Sequence, residues 1–152
     1  MIRILAAYDR VVGALESKLS EGVALLMLRV AFAGIFWRSG RTKIVEGSWI
    51  TLSDTTTALF REEYAGVPLP PELAAVAATA AEHLFPILLL IGLATRLSAV
   101  ALLGMTMVIQ FFVYPEAWWP VHSLWFAMAL VLIARGGGLF SVDRLLTQSR
   151  RR

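Results

Sequence analysis

The chain has no cysteine, only two histidines and only 16% charged residues among its 152 positions. Without a thiol it can form no disulfide, ligate no metal through thiolate and carry no persulfide. That absence does not identify a compartment. The shortage of charge is the stronger constraint: 58% hydrophobic residues and a mean hydropathy of +0.70 cannot be reconciled with the surface of an ordinary soluble domain. Phosphate-cradling loops are missing too. The basic C-terminal tail has no aromatic reader beside it, so nucleic acid is excluded as a partner. There is no repeat or low-complexity tract, and no pair of matched broken helices of the kind that marks a self-sufficient secondary transporter.

What the chain does have is long uncharged runs. Leu97 to Pro115 carries no charge, and after Glu116 the run Ala117 to Ala134 carries none either. At about 1.5 Å of rise per residue, each crosses or nearly crosses a hydrocarbon layer of about 30 Å. Two further runs complete an all-α, four-helix transmembrane bundle in a single membrane domain over residues 1–152, with approximate spans 20–38, 73–94, 97–114 and 120–135. The first strongly apolar run begins near Gly22 and lacks a small-residue cleavage site, so it reads as a retained anchor. A chain of this length has no room for a soluble catalytic domain beside the bundle.

Arg3, Arg10 and Lys18 precede the first span, Arg96 joins the second to the third, and Arg135, Arg144 and Arg150 to Arg152 follow the fourth. The turn "PEAWWP" has no basic residue. The positive-inside rule then puts both termini in the cytoplasm of a multi-pass protein of the bacterial inner membrane. The connection from Arg38 to Pro71 is an extended outer loop with balanced charge, either a solvated connector or one containing a short amphipathic helix. Trp37, Trp49, Trp118 and Trp119 form an outer aromatic belt. Ser141 and Asp143 begin a short C-terminal interfacial helix whose basic tail faces anionic lipid.

Five polar residues fall inside or at the edge of the spans and are the candidates for a ligand or proton site. Arg29 and Glu82 have similar expected depths on antiparallel spans, which predicts a hydrogen-bonded ion pair in place of two isolated charges. His83 points about 100° away from Glu82, so the two are not a metal face, but a neutral imidazole can exchange protons or bind a quinone carbonyl. Pro86 frees a backbone carbonyl that His83 or Arg29 could use. Gln110 and His122 face each other across the outer turn, where they could line a pocket or merely pack. A haem shared by His83 and His122 is disfavoured because their depths differ, and no metal site is read from the sequence. Gly34 and Gly40 flank the exit of the first span, and Gly92 and Gly104 allow close helix approach.

This arrangement resembles the DoxX family of small four-span membrane proteins. The similarity runs from about Leu19 to Leu146 and is carried by "LRVAFAGIFWRSGRTKI" (Leu28 to Ile44), "AAEHLFPILLLIGLATRLSA" (Ala80 to Ala99) and "GGGLFSVDRLL" (Gly136 to Leu146). By resemblance, Arg29 and Glu82 are the characteristic polar positions, Gly40 and Lys43 the exit motif, Gly92 and Arg96 the hairpin, and Ser141 and Asp143 the terminal motif. The resemblance implies an inner membrane protein of redox or sulfur metabolism. One branch is associated with thiosulfate:quinone oxidoreductases and others with oxidative-stress or metallophore-related systems. The chain departs from the first in having no thiosulfate-processing domain and no cysteine. Two functions are left standing. One is a membrane subunit of a redox or sulfur-metabolism complex, holding quinone with a partner protein. The other is a non-enzymatic solute-binding, lipid-binding, transport-associated or scaffolding protein. Membrane lipids are partners in either case, and self-association and intrinsic activity stay open.

Overall fold

The computed structural model describes residues 2–149, apart from the side chains of residues 2–4, 6, 7, 10 and 11. The topology signal carried by Arg3, Arg10 and Arg150 to Arg152 therefore lies outside the described side chains. Among the described residues seven α-helices follow in order: α1 (Ile2–Leu15), α2 (Lys18–Thr42), α3 (Asp54–Glu62), α4 (Pro71–Ile91), α5 (Thr95–Phe112), α6 (Ser123–Arg135) and α7 (Val142–Ser149). Among the described residues, β structure is limited to one antiparallel bridge between Ile44 and Leu52. Helices α2, α4 and α5, together with the stretch Pro115–Arg135 that ends in α6, are long and apolar enough to cross a membrane. The last begins with a 3-10 turn and a π-helical turn over Pro115–His122, which carries the chain past two prolines before regular α geometry starts at Ser123.

Helix α2 starts where Ser17 accepts a hydrogen bond from the Ser20 amide. Its outward stripe of Val23, Met27 and Val30 is exposed to the hydrocarbon, while Leu25, Phe32, Ala33 and Phe36 face inward. The centre is small against large. Phe32, Phe36, Leu89, Leu102 and Leu132 are fully buried, and Ala33, Ala99 and Ala129 leave room for them. Phe32 meets Phe36 edge to face at 5.3 Å, and Phe36 meets Trp125 at 5.5 Å. Near the far end of α2, Gly40 lies directly on α4: an added Cβ would stand 2.9 Å from His83 Cε1 and 3.0 Å from Glu82 Cβ. This contact fixes which residues of α4 face which residues of α2.

The bundle has two different ends. At the connector end the chain leaves α2, folds back through the Ile44–Leu52 bridge and forms α3, which lays Phe60 on Ala74 and Ala75 of α4. At the terminal end α4 stops at Gly92 in a left-handed conformation (φ 70°), with Leu93 N donating to Leu88 O at 2.9 Å and Gly92 N to Leu89 O at 3.1 Å. The loop after α6 then crosses this hairpin. Asp143 accepts from Ala94 N at 2.7 Å and from Thr95 N at 2.9 Å, so a residue almost fifty positions away caps the start of α5. Its own amide donates to Gly92 O at 2.9 Å. Ser141 in turn caps α7 through Arg144 N at 3.3 Å.

Asp143→Ala should therefore lower stability by about 1–2 kcal/mol, the usual cost of a lost helix cap. Thermal unfolding in detergent checks this. Asp143→Asn, which keeps one acceptor, should fall between the variant and the parent chain.

Candidate functional site: a buried ion pair at the end of an apolar cavity

The polar groups of the bundle interior sort into three separate clusters. Arg29, fully buried, donates through Nη1 to Leu89 O at 2.9 Å and Leu90 O at 3.1 Å, and through Nη2 to Phe140 O. A guanidinium thus sits on the C-terminal carbonyls of α4, where a cation is favoured by the helix dipole. The ion pair with Glu82 expected from the sequence does not form. Helix α2 continues to Thr42, and Gly40, eleven residues beyond Arg29, is what opposes Glu82. Arg29 and Glu82 therefore lie at different depths, and neither Arg29 nor His83 uses the carbonyl freed by Pro86.

Glu82 is 2% exposed and pairs with Lys43, Nζ to Oε2 at 2.7 Å. Ser39 Oγ donates to the other carboxylate oxygen at 3.0 Å and accepts from Lys43 Nζ at 2.9 Å. Lys43 is buried because the connector folds over it: its carbonyl accepts from Ser53 N at 3.1 Å and from Thr56 Oγ1 at 2.9 Å. An ammonium and a carboxylate withdrawn from water together are tolerable where each alone is not.

This pair closes one end of a cavity of 270 Å³, just below the volume range of about 300–1,000 Å³ common to small-molecule sites. Its walls are apolar, built from Phe60 of α3, alanines of α4 and Met105 and Ile109 of α5. Tyr64 also lines it, stacked on Phe60 at 4.5 Å. Burial first, then the nearby Tyr114, Glu82 and Glu63, push the Tyr64 phenol up to about 12, so it stays protonated at any physiological pH. Helix α4 supplies small residues where it lines the cavity, at Ala74, Ala77, Ala78 and Ala81, and the empty volume follows from them.

The remaining candidates lie elsewhere. His83 faces Trp37 at 5.2 Å and away from the cavity. Its Nδ1 sits 2.7 Å from Thr79 O, and a carbonyl can only accept, so Nδ1 carries the hydrogen and the buried Nε2 is a bare acceptor without a partner among the described residues. Gln110 and His122 are in contact, Nδ1 to Oε1 at 2.7 Å, and Gln110 Nε2 donates to Pro115 O at 2.7 Å. They brace the irregular turn before α6 and line no part of the cavity. Gly92 and Ser141 pack around Arg29, and Arg96 donates to Ala134 O at 3.2 Å. Sequence reasoning marked Lys43 only as part of an exit motif and did not single out Tyr64 at all. The signal for Lys43 was its position in the helical register of α2, one turn past Ser39.

A family model described as DoxX matches residues 24–115, which takes in both Arg29 and the Lys43–Glu82 cavity. The chain is also similar to an uncharacterized protein of Haemophilus influenzae, 28% identical over 144 residues that cover 84% of this chain and 86% of that one. No solved structure matches it.

Removing one partner of the buried pair leaves the other charge alone in an apolar setting, so Lys43→Met and Glu82→Leu should each destabilise by about 3–5 kcal/mol. The double variant Lys43→Met/Glu82→Leu should recover most of the loss. Denaturant unfolding of the four proteins as a double-mutant cycle measures the coupling; additive single losses would show that the two side chains act independently.

Proposed function

Because the chain belongs to the DoxX family, we propose that its part in a redox-associated membrane role is to hold the head group of a quinone in the cavity that ends at Lys43 and Glu82. The observation that carries this reading is a hydrogen-bonding ion pair buried at the end of an otherwise apolar cavity in a membrane-spanning bundle. The residues fit such a group. One aromatic ring can lie between Phe60, Tyr64 and the alanines of α4, and the Lys43 ammonium, which already donates to Glu82, to Ser39 Oγ and, at a long 3.4 Å, to Ser39 O, can exchange that weakest bond for one to a ring carbonyl oxygen. A bound quinone supplies two-electron, two-proton chemistry. Lys43 would offer a proton to the ring and the Glu82 carboxylate would accept one, while Ser39 bridges the pair and keeps both side chains aimed at one another. Lysine and glutamate do not carry electrons, so a redox partner supplies or removes them. Sulfur metabolism is the narrower form of this reading.

The same bundle end is assigned to the outer face of the inner membrane. Lys18, Arg96, Arg135 and Arg144 gather at the terminal end, while the connector carries balanced charge. Since the chain has no cysteine, single cysteines can be introduced cleanly. One at Ser149 should react only with permeant maleimide in intact cells, and one at Ala65 with an impermeant reagent. The reverse pattern would invert the orientation.

Binding of a short-tailed benzoquinone to the full chain in lipid nanodiscs tests the ligand. Ala78→Trp fills the cavity and should weaken binding at least about tenfold, as should Lys43→Met, which removes a charged hydrogen-bond donor worth about 1.5–3 kcal/mol. Arg61→Gln, at an exposed pair with Glu72 outside the cavity, should change nothing. Equal quinone affinity in folded Ala78→Trp would end the proposal and favour a solute-binding or scaffolding protein.

A further inference from the structure

A second, larger cavity of 850 Å³ lies at the opposite end of the bundle, between the start of α2, the α4–α5 hairpin and the loop that enters α7. Four cations line it, Lys18, Arg96, Arg135 and Arg144, against two carboxylates, Glu21 and Asp143. Both carboxylates are already committed. Glu21 accepts from Arg135 through Nε at 2.8 Å and also from Nη2, and Asp143 is held by the amides of Ala94 and Thr95. Lys18, Arg96 and Arg144 are left with no carboxylate among the described residues.

Two further features distinguish this place from a merely basic surface. Arg96 is oriented: Nη2 donates to Ala134 O at 3.2 Å, and its guanidinium lies against Gly136, where an added Cβ would stand 3.3 Å from Nε. Thr95, at the margin of the cavity, is fully buried, and its hydroxyl has no hydrogen-bond partner among the described residues. Three uncommitted cations around one cavity are a donor set without its acceptor. The rest of the lining includes the apolar Leu25, Leu97, Leu139 and Leu146, of which Leu97 and Leu146 are exposed on the outside of the bundle.

We propose that this cavity binds an anionic phospholipid. Its phosphate is held by Lys18, Arg96 and Arg144, and an acyl chain follows Leu97 and Leu139 into the bilayer. The chemistry that selects it is charge complementarity at one end of the cavity and an apolar wall at the other, and a free phosphate satisfies only the first. The proposal is independent of the quinone reading, since no residue is shared between the two cavities.

The test is lipid binding to the delipidated full chain in neutral detergent, read by native mass spectrometry with dioleoylphosphatidylglycerol and dioleoylphosphatidylcholine. The parent chain should favour the anionic lipid, and Lys18→Gln, Arg96→Gln and Arg144→Gln should each weaken it about fivefold. The uncharged lipid should be unaffected. Because Arg96 also touches the loop after α6, the exposed Lys18→Gln together with the half-buried Arg144→Gln keeps the test valid if Arg96→Gln folds poorly. Retention of the anionic preference in that folded double variant would overturn the site. So would loss of the preference when only Arg150 to Arg152 are neutralised. Displacement of the lipid by millimolar inorganic phosphate would overturn the lipid assignment and make the ligand a soluble phosphate.

Discussion

Hydrocarbon offers a charge no hydration, so every ionised group inside this bundle has to be met by the protein itself, and that requirement sets how α2 lies against α4. Arg29 is met by backbone carbonyls at the end of α4, and Lys43 by the Glu82 carboxylate in its interior. The two contacts are fourteen residues apart on α2 and clamp the seam near its two ends. Between them Gly40 lets the helices touch. A slip of one turn would leave a guanidinium, an ammonium and a carboxylate unpartnered at once, and none of the apolar contacts along the seam is strong enough to compensate for that.

The two clamps differ in what remains available after folding. The guanidinium of Arg29 spends both terminal nitrogens on carbonyls that close a helix and tether the C-terminal loop, and no cavity of either end includes it. It is architecture. Lys43 and Glu82 satisfy one another but form the floor of an apolar space, so an incoming polar atom finds a donor and an acceptor there already desolvated. One contact is consumed wholly by the frame, while the other borders a cavity.

The sequence made the four spans legible because uncharged runs of helical length have few other fates in a chain so poor in charge. It also made the Gln110 and His122 contact legible, since the short turn between their spans leaves them little freedom. The partners of Arg29 were not legible: backbone carbonyls are present at every residue, and no residue type announces which ones a helix end exposes. The Lys43–Glu82 pair was hidden for a different reason. The apolar run ends near Trp37, which placed Lys43 in a loop, whereas the helix continues through "RSGRT" because Ser39 and Gly40 face α4 and only Arg38 and Thr42 face outward. Composition marks where hydrocarbon ends, not where a helix does. Helix α1 was missed because Arg3, Asp9 and Arg10 interrupt its apolar residues and rule out a span, and uncharged runs were the signal that made the spans legible.

How a ligand reaches Lys43 and Glu82 follows from the same small residues that create the cavity. Ala77 and Val108 line it and are also exposed on the outer surface of the bundle, on α4 and α5 respectively, as is Leu69 on the connector. The opening therefore looks sideways, toward the acyl chains rather than along the bundle axis. An apolar molecule dissolved in the bilayer can enter between α4 and α5 without crossing water, at the concentration the membrane sets for it. A hydrophilic solute would have to pass Leu69 and the half-buried Tyr64 with its own hydration removed, which costs several kcal/mol for even one unpaired polar group. On the proposed reading the cavity would discriminate by route before contact, and the route would favour a membrane-soluble ligand with a single polar head.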